Sequence, residues 1–295
     1  MEKTMPLKYH TQTDVTLRQP SEHIPDLLLV GERLHVLNPS VYDAIEQHNP
    51  ERLARFAKKQ VEAGVQALAV NLGPGRHMRL QIPWIIDAIT AEVDVPLFLS
   101  SSVINSEQIL RQYGRNITIN AVTANPETLS QYMKVVKTYE TGLVVLLVKP
   151  GLVPSGVNDR VHLAYEVLEA ATKAGLPLNR LYLDPVMGCR PDPFALKVSR
   201  GFPDIGTIVE TIALIKELNN YARTIIGLSN GSVGLAGEKR SALHCRMLPL
   251  LASGGLDAAI LNCLDNNLMN VAKNIKNGLF SHPSFQHRLE IAPAA

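Results

Sequence analysis

The chain contains few cysteines, few aromatic residues and almost no net charge. Among its 295 residues there are three cysteines and one tryptophan, and the formal net charge is +2. Three widely spaced cysteines without a Cys-x-x-Cys pair are typical of reduced intracellular thiols and argue against a disulfide framework. So small a charge, without lysine and arginine clustered beside aromatic residues, argues against nucleic acid as a partner.

Long apolar runs are also missing. Segments such as Leu143–Val148 are far shorter than the roughly 20 residues that cross a bilayer, so we expect no membrane partner. The first residues lack the apolar stretch of a secretory signal, and we expect a cytoplasmic protein. With 46% apolar and 19% charged residues, we expect a single globular domain, 1–295, with an N-terminal arm (1–25) and a C-terminal tail (280–295).

Short apolar segments alternate with helical patterns along the whole chain. Asn49-Pro50 and Asn125-Pro126 mark helix starts, and Gly64 marks a helix end. The eight predicted strands are 26–30, 67–72, 96–100, 116–120, 143–148, 180–184, 224–228 and 258–261. Later helical patterns cover 159–173, 206–218, 238–251 and 266–275. Eight strand–helix units in strict alternation predict an α/β fold of the (β/α)8 TIM-barrel type. An open doubly wound sheet is the alternative, although the chain lacks a Gly-x-Gly-x-x-Gly turn.

Polar residues stand where the predicted strands end. In a barrel these ends form the mouth, which carries the chemistry. Asp184, Asn120 and Asn230 together offer acceptors and donors that suit a flat polar ring. The other polar residues at strand ends are Glu32, Arg33, Asn71, Ser100, Lys149, Ser229, Asn262 and Asp265. A cap or a salt bridge explains Glu32, Arg33 and Asp265 equally well. A hydrogen bond to a nearby loop explains Asn71 and Asn262 better than ligand contact does.

Nucleophilic and metal-dependent chemistry fit the sequence less well. His35 and His77 lie in predicted loops without a nucleophile beside them. His244 and Cys245 lie on a predicted helix without a second pair of ligands, so we predict that this chain binds no metal. Lys149 stands at the end of the fifth strand, where barrel aldolases carry a Schiff-base lysine, and that alternative stays open.

Five motifs, in chain order, resemble those of the pterin-binding methyltransferase family. They are Gly31-Glu32-Arg33-Leu34-His35, Val70-Asn71-Leu72-Gly73-Pro74, Ile119-Asn120, Leu183-Asp184-Pro185 and Gly227-Leu228-Ser229-Asn230. The family includes methyltetrahydrofolate–corrinoid protein methyltransferases and the tetrahydrofolate methyltransferases of anaerobic demethylation systems. The related enzyme dihydropteroate synthase is not indicated, because its Ser-Thr-Arg-Pro-Gly loop and its terminal Ser-His-Arg are absent. The resemblance implies a dihydropteroate-synthase-like barrel.

The resemblance also implies roles for the matching residues. Asp184 is expected to accept from N3–H and the 2-amino group of a pterin, Asn120 to bind the same ring, and Asn230 to reach N5, the methyl-exchanging atom. The remaining expected pterin contacts are Ser100, Asn71 and Glu32. Tetrahydrofolate is then a substrate. Cobalamin is expected on a separate corrinoid protein that docks at the mouth, because the Asp-x-His-x-x-Gly motif of cobalamin modules is absent. A homodimer is expected as well.

Several acids of the family are replaced in this chain. Ala69, Ser100 and Asn262 stand where the family usually has Asp, and His35 stands where it has Asn. A mouth with fewer carboxylates stabilises a protonated N5 less well, which favours methyl transfer from a methylated corrinoid protein to tetrahydrofolate. The opposite direction shares the same transition state and stays open, as does a folate-binding barrel without activity.

The segment 185–204 is predicted to be either a lid over the mouth or a plain connection between two barrel units. Arg190, Lys197 and Arg200 within it are candidates for contact with the glutamate tail of the folate.

Overall fold

Eight parallel strands form a closed barrel in which each strand pairs with its neighbours in chain order and the first pairs with the last. The computed structural model describes residues 26–73, 75, 78, 80–151, 154, 156–187 and 205–279. The predicted arm, the tail and positions 188–204 of the predicted lid lie outside this range. Closure of the sheet confirms the predicted (β/α)8 fold and excludes the open doubly wound alternative.

The strands lie close to their predicted positions. Their bounds are β1 Leu28–His35, β2 Ala67–Asn71, β3 Leu97–Leu99, β4 Ile117–Thr123, β5 Gly142–Leu146, β6 Leu181–Asp184, β7 Arg223–Gly227 and β8 Ala258–Leu261. The predictions for β1 and β4 ended too early, because each strand continues past an irregularity. The register shifts between Gly31 and Leu34 in β1 and between Ile119 and Val122 in β4. Each shift adds one residue relative to the next strand, and such bulges redirect side chains.

Helices cover the outside of the barrel. Those bounded within the described residues are α1 Pro39–Glu46, α2 Pro50–Glu62, α3 Ile82–Thr90, α4 Glu107–Tyr113, α5 Pro126–Tyr139, α6 Val157–Lys173, α7 Ile205–Leu218, α8 Gly237–Ser253 and α9 Asn266–Lys276. The side chains of Asn49 and Asn125 cap α2 and α5 as predicted. Gly64 follows α2 with φ +103°. Helix α1 lies in the β1–α2 connection and was not predicted. No helix among the described residues is long and apolar enough to cross a membrane.

Apolar side chains fill the barrel interior. The inner cluster consists of Val30, Ala67, Ala69, Phe98, Val144, Tyr182, Ile225 and Ala258. Side chains alternate between the two faces of a strand, so a residue two positions further on points inward, one layer nearer the mouth. The residues placed there are Asn71, Ser100, Leu146, Asp184, Gly227 and Ile260. Glu32, in the bulge of β1, reaches the mouth as well, where it hydrogen-bonds to Ser229. The interior is therefore a packed core beneath a layer that contains both polar and apolar residues.

Candidate functional site

Asp184 is a buried carboxyl group at the end of β6. Its relative exposure is 7%, and one carboxyl oxygen accepts a hydrogen bond from the Val186 N–H at 2.8 Å. Burial raises the pKa of this carboxyl to about 7, and the hydrogen bond from Val186 opposes that rise. The second oxygen has no hydrogen-bond partner among the described residues. A buried acid with a free oxygen is prepared to accept N–H groups of a ligand.

The turn after Asp184 has an uncommon backbone conformation. Val186 has φ +60°, which is rare for a β-branched residue. Such a conformation costs about 1–3 kcal/mol and persists where its surroundings impose it. Arg160 of α6 donates a hydrogen bond to the Pro185 carbonyl at 2.9 Å and holds the same turn. The cost is compensated by an N–H aimed at the Asp184 carboxylate.

Asn120 and Asn230 carry carboxamides at the mouth. Asn120 lies half-buried in the β4 bulge, and Asn230 lies exposed in a 3-10 turn, Leu228–Ser232, that directly follows β7. A Cβ on Gly227 would lie 3.1 Å from the Asn230 Nδ2, so this carboxamide lies over the last residue of β7. Neither carboxamide hydrogen-bonds to another protein group within the described part of the chain. Both keep their donors and acceptors for a ligand.

Glu32 and Ser229 are connected across the mouth. Glu32 lies in the β1 bulge, and the Ser229 Oγ donates a hydrogen bond to its Oε2 at 2.8 Å. Burial raises the pKa of Glu32, while the Ser229 hydrogen bond and the positive charges of Arg33 and Arg240 oppose that effect. Glu32 therefore belongs to the same mouth as the turn that carries Asn230.

Other predicted site residues take part in local structure. The Oδ1 atoms of Asn71 and Asn262 each accept the backbone N–H two residues further on, at 3.0 and 3.3 Å. Asp265 caps α9 with its side chain. The Ser100 Oγ lies 2.8 Å from the Ser102 Oγ. Asn71 and Ser100 point inward by strand alternation and remain candidates, whereas Asp265 is engaged as a cap.

Lys149 lies on the connection after β5. Its Nζ is 2.5 Å from the Glu166 Oε2 of α6, and a second contact of that carboxylate is His162, at 3.4 Å. A Schiff base requires an amine that is free to attack a carbonyl, whereas this Nζ is engaged with a carboxylate. The geometry is that of a structural ion pair and gives the aldolase alternative no support.

The histidines do not gather into a nucleophilic or metal-binding site in the described part of the chain. His35 lies within β1, and burial and the Arg33 charge lower its pKa. His77 lies outside the described residues. No group of three or more His, Cys, Asp or Glu residues that are described could hold a metal ion.

His244 supports the turn that carries Asn230, a role that sequence reasoning missed. Its Nε2 lies 2.9 Å from the Ser232 Oγ, which in turn lies 3.1 Å from the Ser229 carbonyl oxygen. The ring also makes a backbone hydrogen bond with Leu228. His244 is 2% exposed, and burial lowers its pKa. No sequence signal reveals this role, because it depends on how α8 packs against the turn.

Fold and mouth together define a (β/α)8 barrel with a buried acid and two carboxamides at its carboxyl end. Dihydropteroate synthases have the same fold. The structure from Stenotrophomonas maltophilia has a TM-score of 0.59 at 14% identity, covering 92% of this chain and 96% of that one. A structure from Xanthomonas albilineans has a TM-score of 0.61 at 14% identity, covering 90% and 93%. At this identity the likeness shows the fold alone.

Sequence comparison relates the chain to methyltransferases. The methylcorrinoid:tetrahydrofolate methyltransferase of Eubacterium limosum is 24% identical over 253 residues, which are 82% of this chain and 88% of that protein. Methionine synthase from Mycobacterium leprae (strain TN) is 23% identical over 252 residues, 82% of this chain and 21% of that longer protein. No family model matches the chain. The resemblance to pterin-binding methyltransferases that the five motifs indicated is confirmed by these relatives.

Proposed function

We propose that this protein transfers a methyl group from a methylated corrinoid protein to N5 of tetrahydrofolate and releases methyltetrahydrofolate and cob(I)alamin. The observation that carries the proposal is a set of polar atoms on Asp184, Asn120 and Asn230 that have no hydrogen-bond partner among the described residues, at the mouth of a dihydropteroate-synthase-like barrel. The similarity to the Eubacterium limosum enzyme over 82% of the chain supports the same reaction.

The mouth offers complementary groups for the edge of a pterin. An ionised Asp184 can accept from N3–H and from the 2-amino group in one plane, a two-point contact that charge strengthens. Asn120 adds a donor and an acceptor on the bulge of β4, which β5 separates from β6. Burial removes water from Asp184 and favours its neutral form. Two N–H donors from the ligand would replace the lost hydrogen bonds from water and lower the pKa of Asp184 again. Ser100, Asn71 and Glu32 complete the proposed site.

Asn230 is the proposed partner of N5. Its carboxamide lies over Gly227 at the mouth, where a carrier protein can bring a methyl group from outside. The carboxamide can contact N5 and fix the orientation of the ring, so that the nitrogen lone pair faces the methyl carbon. Holding N5 and methyl in line turns a reaction between two molecules into a local displacement.

The acid content of the mouth supports the accepting direction. Ala69, Ser100 and Asn262 replace acids that the resemblance would imply, and the described mouth keeps Glu32 and Asp184. A protonated N5, which the donating direction requires, therefore has fewer anions near it. The cobalamin is proposed to arrive on a separate corrinoid protein that docks over this face. A single cytoplasmic domain that forms a homodimer is part of the same proposal.

An anaerobic assay tests the proposal directly. Purified protein is mixed with tetrahydrofolate and either free methylcobalamin or a methylated corrinoid protein. Cob(I)alamin is followed in the visible spectrum, and methyltetrahydrofolate is measured by mass spectrometry. We expect both products in equal amounts. Folate binding without turnover on either donor would favour a non-catalytic folate-binding barrel, and the absence of folate binding would overturn the pterin assignment.

A further inference from the structure

We propose that Glu32 accepts the proton that N5 loses when it is methylated, with the Ser229 hydroxyl as the link between them. This inference rests on the proposed function and adds to it a catalytic role for two residues. The hydrogen bond between Ser229 and Glu32, at 2.8 Å across the mouth, is the contact that suggests the role.

Proton balance requires an acceptor for the N5 hydrogen. N5 of tetrahydrofolate is a secondary amine with one hydrogen. As its lone pair forms the bond to the methyl carbon, the carbon–cobalt bond breaks and both of its electrons stay with cobalt. N5 is then a positively charged, protonated tertiary amine, and neutral methyltetrahydrofolate forms only when that proton leaves. One proton is released for each methyl group gained, and no oxidant or reductant is needed.

The position of Glu32 follows from the 228–232 turn. Ser229 and Asn230 are consecutive residues of this turn, and the proposal places N5 between the Asn230 carboxamide and the Ser229 hydroxyl. The hydroxyl hydrogen is directed at Glu32, which leaves the lone pairs of Oγ free to accept from N5–H. The N5 proton can pass to Oγ while the hydroxyl proton passes to the carboxylate.

Asp184 cannot serve as the base in the same complex. In the proposed pose its carboxylate accepts from N3–H and the 2-amino group, which lie at the opposite end of the rigid pterin from N5. One of its carboxyl oxygens also accepts a hydrogen bond from the Val186 N–H. Of the two acids in the described mouth, Glu32 is therefore the one placed on the N5 side.

The groups that face Glu32 suit a proton acceptor. Arg33 and Arg240 favour its ionised form, whereas burial raises its pKa and makes the carboxylate a stronger base than a solvated glutamate. The Cys263 thiol also faces Glu32. Burial is the main cause that raises the pKa of this thiol, to about 11, so it stays neutral near pH 7 and does not compete for the proton.

The test compares Glu32→Gln with the wild-type protein in both reaction directions. Glutamine keeps an oxygen that accepts from Ser229 but cannot take a proton. We expect turnover in the accepting direction to fall by about 10²- to 10⁴-fold, while the dissociation constant for tetrahydrofolate changes by less than about 3-fold. Glu32→Asp should recover part of the turnover, because it restores a carboxylate. Glu92→Gln, an exposed position away from the mouth, is the control.

The pH profile separates a base from a merely structural group. Wild-type turnover in the accepting direction should rise with pH as Glu32 ionises, and turnover in the donating direction should fall over the same range. Both slopes should disappear in Glu32→Gln. Ser229→Ala, which leaves the carboxyl in place, should also slow transfer and should shift the profile to higher pH, because a hydrogen bond that favours the ionised form is lost.

The outcomes distinguish this proposal from the proposed function. A Glu32→Gln protein that keeps wild-type turnover and pH profile overturns the proton role while the methyltransferase remains. Turnover that is lost only in proportion to folate affinity also overturns it, because Glu32 would then be a binding residue. A wild-type protein that binds folate but transfers no methyl group from a methylated corrinoid protein overturns the proposed function itself.

Discussion

Gly227 and Asn230 occupy neighbouring space at the mouth, since a Cβ on Gly227 would lie 3.1 Å from the Asn230 Nδ2. Gly227→Ala should therefore displace the carboxamide by a few tenths of an ångström without disturbing the strand. We expect turnover to fall by about 3- to 30-fold, because methyl transfer depends on alignment. Turnover and folate affinity are to be measured together, and affinity should change little.

Gly237→Ala provides the control for this substitution. Gly237 begins α8, and a Cβ there would meet no heavy atom within 4 Å. It should leave turnover unchanged and stabilise α8 slightly. Wild-type turnover in Gly227→Ala would show that the carboxamide position does not limit the reaction.

Asn230→Ala removes the proposed N5 contact altogether. Methyl transfer should slow by about 10²-fold, a loss typical of removing one positioned hydrogen-bonding group. Folate should still bind, because Asp184 and Asn120 hold the other end of the ring. Asn270→Ala on the exposed surface of α9 is the matched control. A parallel loss of affinity and turnover in Asn230→Ala would make Asn230 a binding residue instead.

Asp184→Asn should separate stability from binding. The pKa of Asp184 rises from 3.8 to about 7 on folding, so the folded state binds its proton more tightly than the unfolded state does. Ionisation therefore costs stability, which declines as pH rises from about 4 to about 7. Asparagine removes this cost. We expect the variant to be more stable than wild type by about 1–3 kcal/mol near pH 8, with the difference vanishing near pH 4.

Folate binding should change in the opposite sense. Loss of the charge-assisted contact should weaken tetrahydrofolate binding by about 1–3 kcal/mol near neutral pH. Denaturant titrations at several pH values and calorimetry measure the two effects separately. Unchanged folate affinity would remove Asp184 from the site, and a pH-independent stability difference would mean that its pKa is not raised.

The barrel and the end of β6 could be predicted from the sequence because both depend on local pattern. A short strand that is apolar on both faces and ends at Asp-Pro places Asp184 at the carboxyl end of that strand. The positions of Glu32 and Asn120 could not be predicted as precisely, because β1 and β4 continue through bulges. A bulge depends on the register with the neighbouring strand, and that register cannot be read from the sequence of one segment alone.

His244 gives a fourth prediction, about the support of the 228–232 turn. His244→Ala removes contacts with Ser232 and Leu228 and leaves their polar groups buried, which should destabilise the fold by about 1–3 kcal/mol. Turnover should fall more than folate affinity does, because Asn230 lies in that turn. Urea denaturation and steady-state kinetics measure the two losses, and His244→Gln should recover part of both.

The pH dependence of stability tests the protonation of His244. Burial lowers its pKa below 6.5, so the folded state favours the neutral ring, and this group costs stability as pH falls through about 6.5. Wild type should have the larger free energy of unfolding near neutral pH, and its advantage over His244→Gln should become smaller as the pH falls. A gap that widens as pH falls would show that the ring is held in its charged form.

Lys149→Met tests whether the lysine after β5 has a chemical role. The Nζ is 2.5 Å from Glu166 in a partly buried ion pair, so it is already engaged with a carboxylate. We expect turnover within about 3-fold of wild type and a stability loss of about 1 kcal/mol at most. Lys173→Met is the control, because it breaks an exposed ion pair within α6, the helix that also carries Glu166. Borohydride reduction in the presence of a carbonyl compound should leave the mass of Lys149 unchanged. A mass increase at this residue would restore the Schiff-base alternative, because only a neutral amine in reach of the carbonyl can form that adduct.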